Sequence, residues 1–379
     1  MTPDREVLNT QEERAATREE QTSGTSEVER TAGTAPRPPG SLGRLGGNAL
    51  KLVKSYGIVL AFVLLCILVG LACQYRVMRG EWTENAFLTS DNFLLILYQI
   101  SINGILAIGM TYVVISGGID LSVGSVLAFA GMLAASFATS LTAVTPWSGT
   151  YVLAVPILVA LLGGVACGAL NGWIIARFRI QPFIATLGML LAARGGTMAL
   201  TGGNPISSLN PHLRWFGTGK LGSIPVPIVM FVVVFAIAWT ILNKTVFGRY
   251  IYAVGGNERS ARTSGIRTNR IKIWVYVISG LLAGLAGIIL TAKTGSGQTN
   301  AGSSYELDAI AAAVIGGTSL SGGVGKLSGT LFGALIMGVM NNGLDILGVE
   351  SYYQLIIKGV LILTAVIIDP SRKVADSWK

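Results

Sequence analysis

From Gly57 onward the chain alternates long apolar runs with short polar breaks. A helix needs about 20 apolar residues to cross a hydrocarbon core of about 30 Å. Runs near that length fall at approximately 57–73, 93–116, 121–140, 151–176, 183–201, 225–242, 273–292, 307–320, 327–347 and 354–369. They predict about ten transmembrane helices, some broken or short; the first is short, and the eighth is short and glycine-flanked. Residues 1–46 are rich in Glu, Arg, Thr, Ser, Gly and Pro and end in PRPPGSLGRLGG. Such a segment cannot bury a core, so a disordered tail is expected there. It does not read as a signal peptide, because the first apolar run begins only near Gly57. The expected plan is a tail over 1–46, an all-α membrane domain over 47–370 and a short C-terminal tail over 371–379.

Composition supports this pattern. Hydrophobic residues make up 51% of the 379 and charged residues 12%, against about 25% charged in an average soluble domain. A single water-soluble domain, a collagen-like chain and a wholly disordered chain are all excluded. Gly occurs 49 times, roughly twice its usual share of about 7%. In membrane bundles glycine lets backbones approach closely. Gly164, Gly168 and Gly172 recur every four residues in one run, as do Gly280 and Gly284, and Gly329 and Gly333; each set predicts a close-packed helix face.

Charge sets the orientation. The net +9 lies entirely beyond residue 56, since residues 1–56 hold eight basic and eight acidic side chains. No Arg/Lys stripe with interleaved aromatics lies on a soluble domain, so nucleic acid is not an expected partner. The longest internal polar loop, 243–272, carries seven Lys/Arg and one acid, Glu258. The positive-inside rule places it in the cytoplasm. It follows the sixth run, so both termini are expected to be cytoplasmic, in a multi-pass protein surrounded by membrane lipid. With that loop included and the tail left out, thirteen Lys/Arg then fall inside and five outside, while Arg194 and Lys358 lie within spans. Cys66, Cys73 and Cys167 sit in apolar runs, and His212 is the only histidine. Neither a metal site nor a Ser-His-Asp triad is expected, and no cofactor.

Two glycine-rich segments resemble each other: VISGGIDLSVGSVLAFAGMLA (114–134) and VIGGTSLSGGVGKLSGTLFGALI (314–336). They read either as turns between helices or as broken helices lining a polar path, where unwound backbone is tolerated at membrane depth. The candidate path residues are Asn103, Ser116, Asp120, Ser122, Thr318, Ser319, Asn341 and Asn342. Asp120 is either a functional intramembrane carboxylate or the N-cap of the third helix; the cap is favoured. Glu306 and Asp308 read as first-turn acids that complement a helix dipole. Gly325-Lys326 hints at a phosphate-binding loop, but Leu327 stands where Ser/Thr is needed, so no ATP site is expected here. In the 243–272 loop, Gly255 and Gly256 form a turn, Asn257 is a plausible N-cap, ERSARTS a short helix and Gly265 its stop.

Four phrases are recognisable: SGGIDLSVGS (116–125), FGRYIYAVGGNERSARTSGI (247–266), ELDAIAAAVIGGTSLSGGVGKLSGTLFGALIMGVMNNGL (306–344) and YYQLIIKGVLILTAVIID (352–369). In these the chain resembles the permease subunits of bacterial ATP-binding-cassette monosaccharide importers, the ribose/xylose/arabinose/galactoside permease family, from about residue 50 to 370. The resemblance implies a homodimer in the bacterial cell membrane, served by a cytoplasmic ATPase and an extracytoplasmic sugar-binding protein, with no chemistry in this chain. It implies ATPase contact through Gly248, Arg249, Gly255, Gly256, Asn257, Glu258, Ala261, Gly265 and Ile266. Ser260 stands where relatives usually have Ala, a mild departure. An ion-gradient-driven sugar transporter is the alternative, with Asp120, Arg194 and Lys358 as its thin ionisable set.

Overall fold

The computed structural model describes residues 41–144 and 151–368, with side chains outside that description at 41–56, 141–144, 151–152 and 368. Most of the tail expected over 1–46, and the whole of that over 371–379, lies outside the described residues. Residues from Gly57 onward form one compact unit.

The described chain is almost entirely helical. Helix α1 (Ser41–Met78) is followed by a 3₁₀ turn (Ala86–Leu88), α2 (Ser90–Ile115), α3 (Val123–Val144), α4 (Tyr151–Phe178) and α5 (Pro182–Ala199). A short α6 (Pro211–Thr218) and a two-stranded hairpin, β1 (Lys220–Leu221) and β2 (Ile224–Pro225), lead into α7 (Val226–Lys244). Then come α8 (Val246–Gly256), α9 (Glu258–Thr263), α10 (Thr268–Thr294), α11 (Tyr305–Ile315), α12 (Leu327–Ile346) and α13 (Ser351–Ile368). Each of the ten apolar runs contains a helix, but the eighth, 307–320, leaves it at Ile315. Among the described residues seven are long and apolar enough to cross a membrane; α5, α11 and α13 do not meet that standard. Helix α11 has 11 residues, about 16 Å at 1.5 Å per residue, half a hydrocarbon core.

The core is built on α2 and α10. Both are buried along much of their length, whereas α1 leaves Leu60, Leu64, Leu68 and Leu71 more than half exposed. An apolar residue facing lipid needs no partner, so this exposure is what a peripheral spanning helix shows. The glycine stripes seat the helices as expected. A methyl on Gly168 would strike Tyr276 O and Gly280 Cα, and one on Gly172 would strike Ile273 Cα, so α4 and α10 touch backbone to backbone. Gly329 and Gly333 of α12 likewise meet Gly316 and the Ala312 carbonyl of α11. Helices α11 and α12 thus form a tight antiparallel hairpin.

Candidate functional site

Two identical turns lie at the end of the bundle that carries the basic 243–272 loop. Helix α2 stops at Ile115 and α11 at Ile315. In the first turn Gly117 N donates to Val114 O (2.9 Å) and Gly118 N to Val113 O (3.0 Å); in the second, Gly317 N donates to Val314 O (2.8 Å) and Thr318 N to Ala313 O (3.0 Å). Gly117 has φ +82° and Gly317 φ +83°. Both are Schellman-type stops, which glycine enters without a Cβ penalty.

After the first turn the chain does not resume a helix at once. Asp120 Oδ2 accepts from Ser279 Oγ of α10 at 2.8 Å. A methyl on Gly109 of α2 would meet the same residue's Cα at 3.1 Å. Asp120 is therefore level with Gly109, about 9 Å back along α2 from its end at 1.5 Å per residue. Residues 118–122 are non-helical backbone returned into the bundle, which is viable only inside protein. Tyr276 Oη and Thr186 Oγ1 both donate to Ile119 O at 3.3 Å. Asp120 Oδ1 accepts from Ser122 N (3.0 Å) and Ser122 Oγ (2.6 Å), and Asn171 Nδ2 reaches Ser122 Oγ at 3.0 Å. The N-cap reading of Asp120 is thus corrected. Helix α3 starts three residues later, at Val123, and the carboxylate closes an Asx turn and ties it to α10.

The 243–272 loop is folded. Asn257 caps α9, its side chain accepting from Ser260 N at 3.0 Å. Gly265 follows with φ +85°, and Ile266 N donates to Ala261 O at 3.0 Å. Ala261 is buried beneath α9. Glu258 bonds Lys272 Nζ (2.7 Å) and Arg262 Nη2 (3.1 Å). Burial pushes the Glu258 carboxyl up, but the hydrogen bond and charge of Lys272, with Thr268 and Arg262, outweigh it and hold the group below its ordinary range. Arg249 and Arg259 are exposed; Gly248 packs its backbone against Leu242 O.

The loop and the two turns meet. Gly323 N donates to Ile115 O at 2.8 Å, and Tyr252 Oη of α8 donates to Gly325 O at 2.8 Å. A methyl on Gly255 would collide with Ile115 O and Gly323 N; one on Gly322 would meet Gly117 Cα and Gly255 O. Three glycine segments, 115–118, 255–256 and 322–325, form one backbone junction.

The other expected path residues separate. Asn342 is closed in a reciprocal amide pair with Asn92 (2.8 and 3.1 Å) at the opposite end of α2. Ser116 Oγ donates to Val113 O within α2 (2.7 Å). Thr318 and Ser319 are buried in the second turn. Asn103 and Asn341 face a common small cavity with Asp308 and Gln99. Glu306 and Asp308 do stand in the first turn of α11, and Asp308 has a second role there: Lys358 Nζ of α13 lies 3.1 Å from both its oxygens. Sequence reasoning missed Gln99 and this pairing; the signal was a Lys and an Asp inside separate apolar runs. It also missed that Arg194 Nη1 donates to Thr299 O and Ala301 O (both 2.8 Å), tying α5 to loop 295–304. Among the described residues no cluster of His, Cys, Asp and Glu could hold a metal.

Comparison with known proteins accords with this layout. The family described as "Branched-chain amino acid transport system / permease component" matches residues 92–366, and the chain belongs to it. The ribose import permease protein RbsC of Escherichia coli K12 is 51% identical over 292 residues, 76% of this chain and 88% of that protein. RbsC of Bacillus subtilis 168 is 50% identical over 76% of this chain and 87% of that protein. The xylose transport system permease protein XylH of E. coli K12 is 35% identical over 77% and 88%. No solved structure matches. The resemblance to the monosaccharide-importer permeases therefore holds, and the ion-gradient alternative falls. The chain is a multi-pass permease of the bacterial cell membrane, a transport subunit rather than an enzyme, with a separate ATPase and a substrate-binding protein as partners.

Proposed function

We propose that this permease works as a homodimer with its basic end in the cytoplasm, where α8 and α9 dock on the ATPase, and passes a monosaccharide, ribose first among candidates, delivered from outside by the binding protein. The observation that carries this reading is the glycine junction. The end of α8 touches both the turn after α2 and the turn after α11, so a displacement of the docked loop reaches the two places where backbone departs from helix at the basic end. The relatives' names supply the sugar, and their identity of about half the aligned residues supports carrying it over. The coupling requires that ATP-bound and ATP-free partners bind the two states of the permease with different affinity.

The test is reconstitution of the permease with its ATPase and binding protein in proteoliposomes, following labelled ribose. ATP-dependent accumulation is expected. ATP hydrolysis without accumulation of ribose, xylose or allose would remove the sugar assignment. Crosslinking or mass measurement in detergent gives the number of permease copies; a single copy per complex would remove the dimer.

A further inference from the structure

Halfway along α2, Asn103 faces α11 and α12 across a small, largely enclosed cavity of about 20 Å³ whose polar lining is Gln99, Asn103, Asp308 and Asn341 and whose remaining wall is apolar. That is room for about one water. Asn103 Oδ1 and Asn341 Oδ1 are buried there without a hydrogen-bond partner, and Lys358 stands behind the Asp308 carboxylate, their side chains 18% and 5% exposed. An ion pair that merely ties α13 to α11 accounts for the charges. It does not account for two amide carbonyls that have no protein partner at membrane depth and must be met by whatever enters the cavity, a water or a hydroxyl group. Leu at either position would remove that need.

We propose that Gln99, Asn103, Asp308 and Asn341, with Lys358 holding the carboxylate, are the mid-membrane site that takes the hydroxyl groups of a neutral sugar in transit; this rests on the reading of the chain as a sugar permease. The chemistry selects the ligand class. Side-chain amides donate and accept, the carboxylate accepts, and hydroxyl groups do both. The Asp308 and Lys358 charges cancel within the pair, so an ionic substrate gains nothing from the site that it does not lose to the opposite charge. The cavity is the closed form of the site. Two of its walls belong to the α11–α12 hairpin, whose turn enters the glycine junction, so a shift of that hairpin away from α2 widens it. A weak, transient site suits conduction, since a sugar must leave as readily as it arrives.

The experiment uses the full transporter in proteoliposomes and counts labelled ribose accumulated per ATP hydrolysed. Asn103→Leu and Asn341→Leu favour membrane insertion and keep both charges of the ion pair; Asn341→Leu also removes an amide that bonds the Asp308 carboxylate. Each is expected to lower that ratio at least ten-fold, with co-purification of the ATPase at the wild-type amount, while Asn103→Gln and Asn341→Gln recover part of it. A merely structural role would change the yield of assembled complex, not the ratio. A ratio at wild-type level in the Asn103→Leu/Asn341→Leu double variant overturns the site and leaves the sugar reading standing. Absence of ribose accumulation by the wild-type complex overturns the sugar reading and this site with it.

Discussion

Gly265 and Gly255 lie ten residues apart in one loop, and each excludes a side chain for a different reason. At Gly265 the backbone has φ +85° with no atom near an added Cβ. A β-branched residue there is strained by conformation alone, at a cost of order 1–3 kcal/mol. Gly265→Val is expected to leave membrane insertion intact and to weaken ATPase pull-down, because α9 loses its stop. At Gly255 the constraint is contact: a methyl meets Ile115 O. Gly255→Ala is expected to keep ATPase pull-down but to cut ATP-driven uptake at least ten-fold. Pull-down and uptake measured on both variants check the pair; loss of the same quantity in both would show that the loop has only one role. Glu258 adds a pH dependence. Its carboxyl is held low in the folded loop, so its contribution is present above the ordinary carboxylate value of about 4.3 and fades as pH falls through the lower folded value. A fluorophore on Ser264→Cys should report loosening of α9 on acidification below about pH 4, and Glu258→Gln should show the loosened signal already at neutral pH.

Helices α4 and α10 illustrate what an element owes to small residues. Their glycines were legible as stripes, because a four-residue spacing puts them on one face. Which stripe faces which was not, since every apolar run offers lipid-facing alternatives of equal hydrophobicity. Gly168→Val forces the backbones apart at Tyr276 O and Gly280 Cα. Overpacking of this kind costs about 1–3 kcal/mol, so the purified permease should unfold several degrees lower in a detergent thermal scan. The ten runs were readable for the same reason as the stripes: length and hydropathy respond to the bilayer alone. The depth of residues 118–122 was not. Asp120 followed by an apolar run has the signature of an N-cap, and only the tertiary partner Ser279 shows that the backbone has turned back. Likewise, Asp308 at the head of a helix reads as a dipole acid, which it is, but nothing local shows that Lys358, 50 residues on, is brought to it.

Across the whole molecule the basic loop, both glycine turns and the end of α8 occupy one end, while the Asn92–Asn342 pair, α6 and the β1–β2 hairpin follow the opposite course of the spans. If that basic end is cytoplasmic, an impermeant thiol reagent on intact cells should label Ser208→Cys and spare Ser264→Cys in a background lacking Cys66, Cys73 and Cys167; the reverse pattern would invert the orientation. The junction of residues 115–118, 255–256 and 322–325 also bears on how such a transporter changes partners. Backbone in contact with backbone has no rotamers to absorb a substitution, so the inner side of the loop is fixed by the permease itself. The outer side, with Arg259 and its neighbours exposed, would on the proposed docking answer only to the ATPase. The two sides can therefore diverge independently: exchanging the exposed residues of α9 for those of a relative should transfer allegiance to that relative's ATPase while the same sugar continues to be carried.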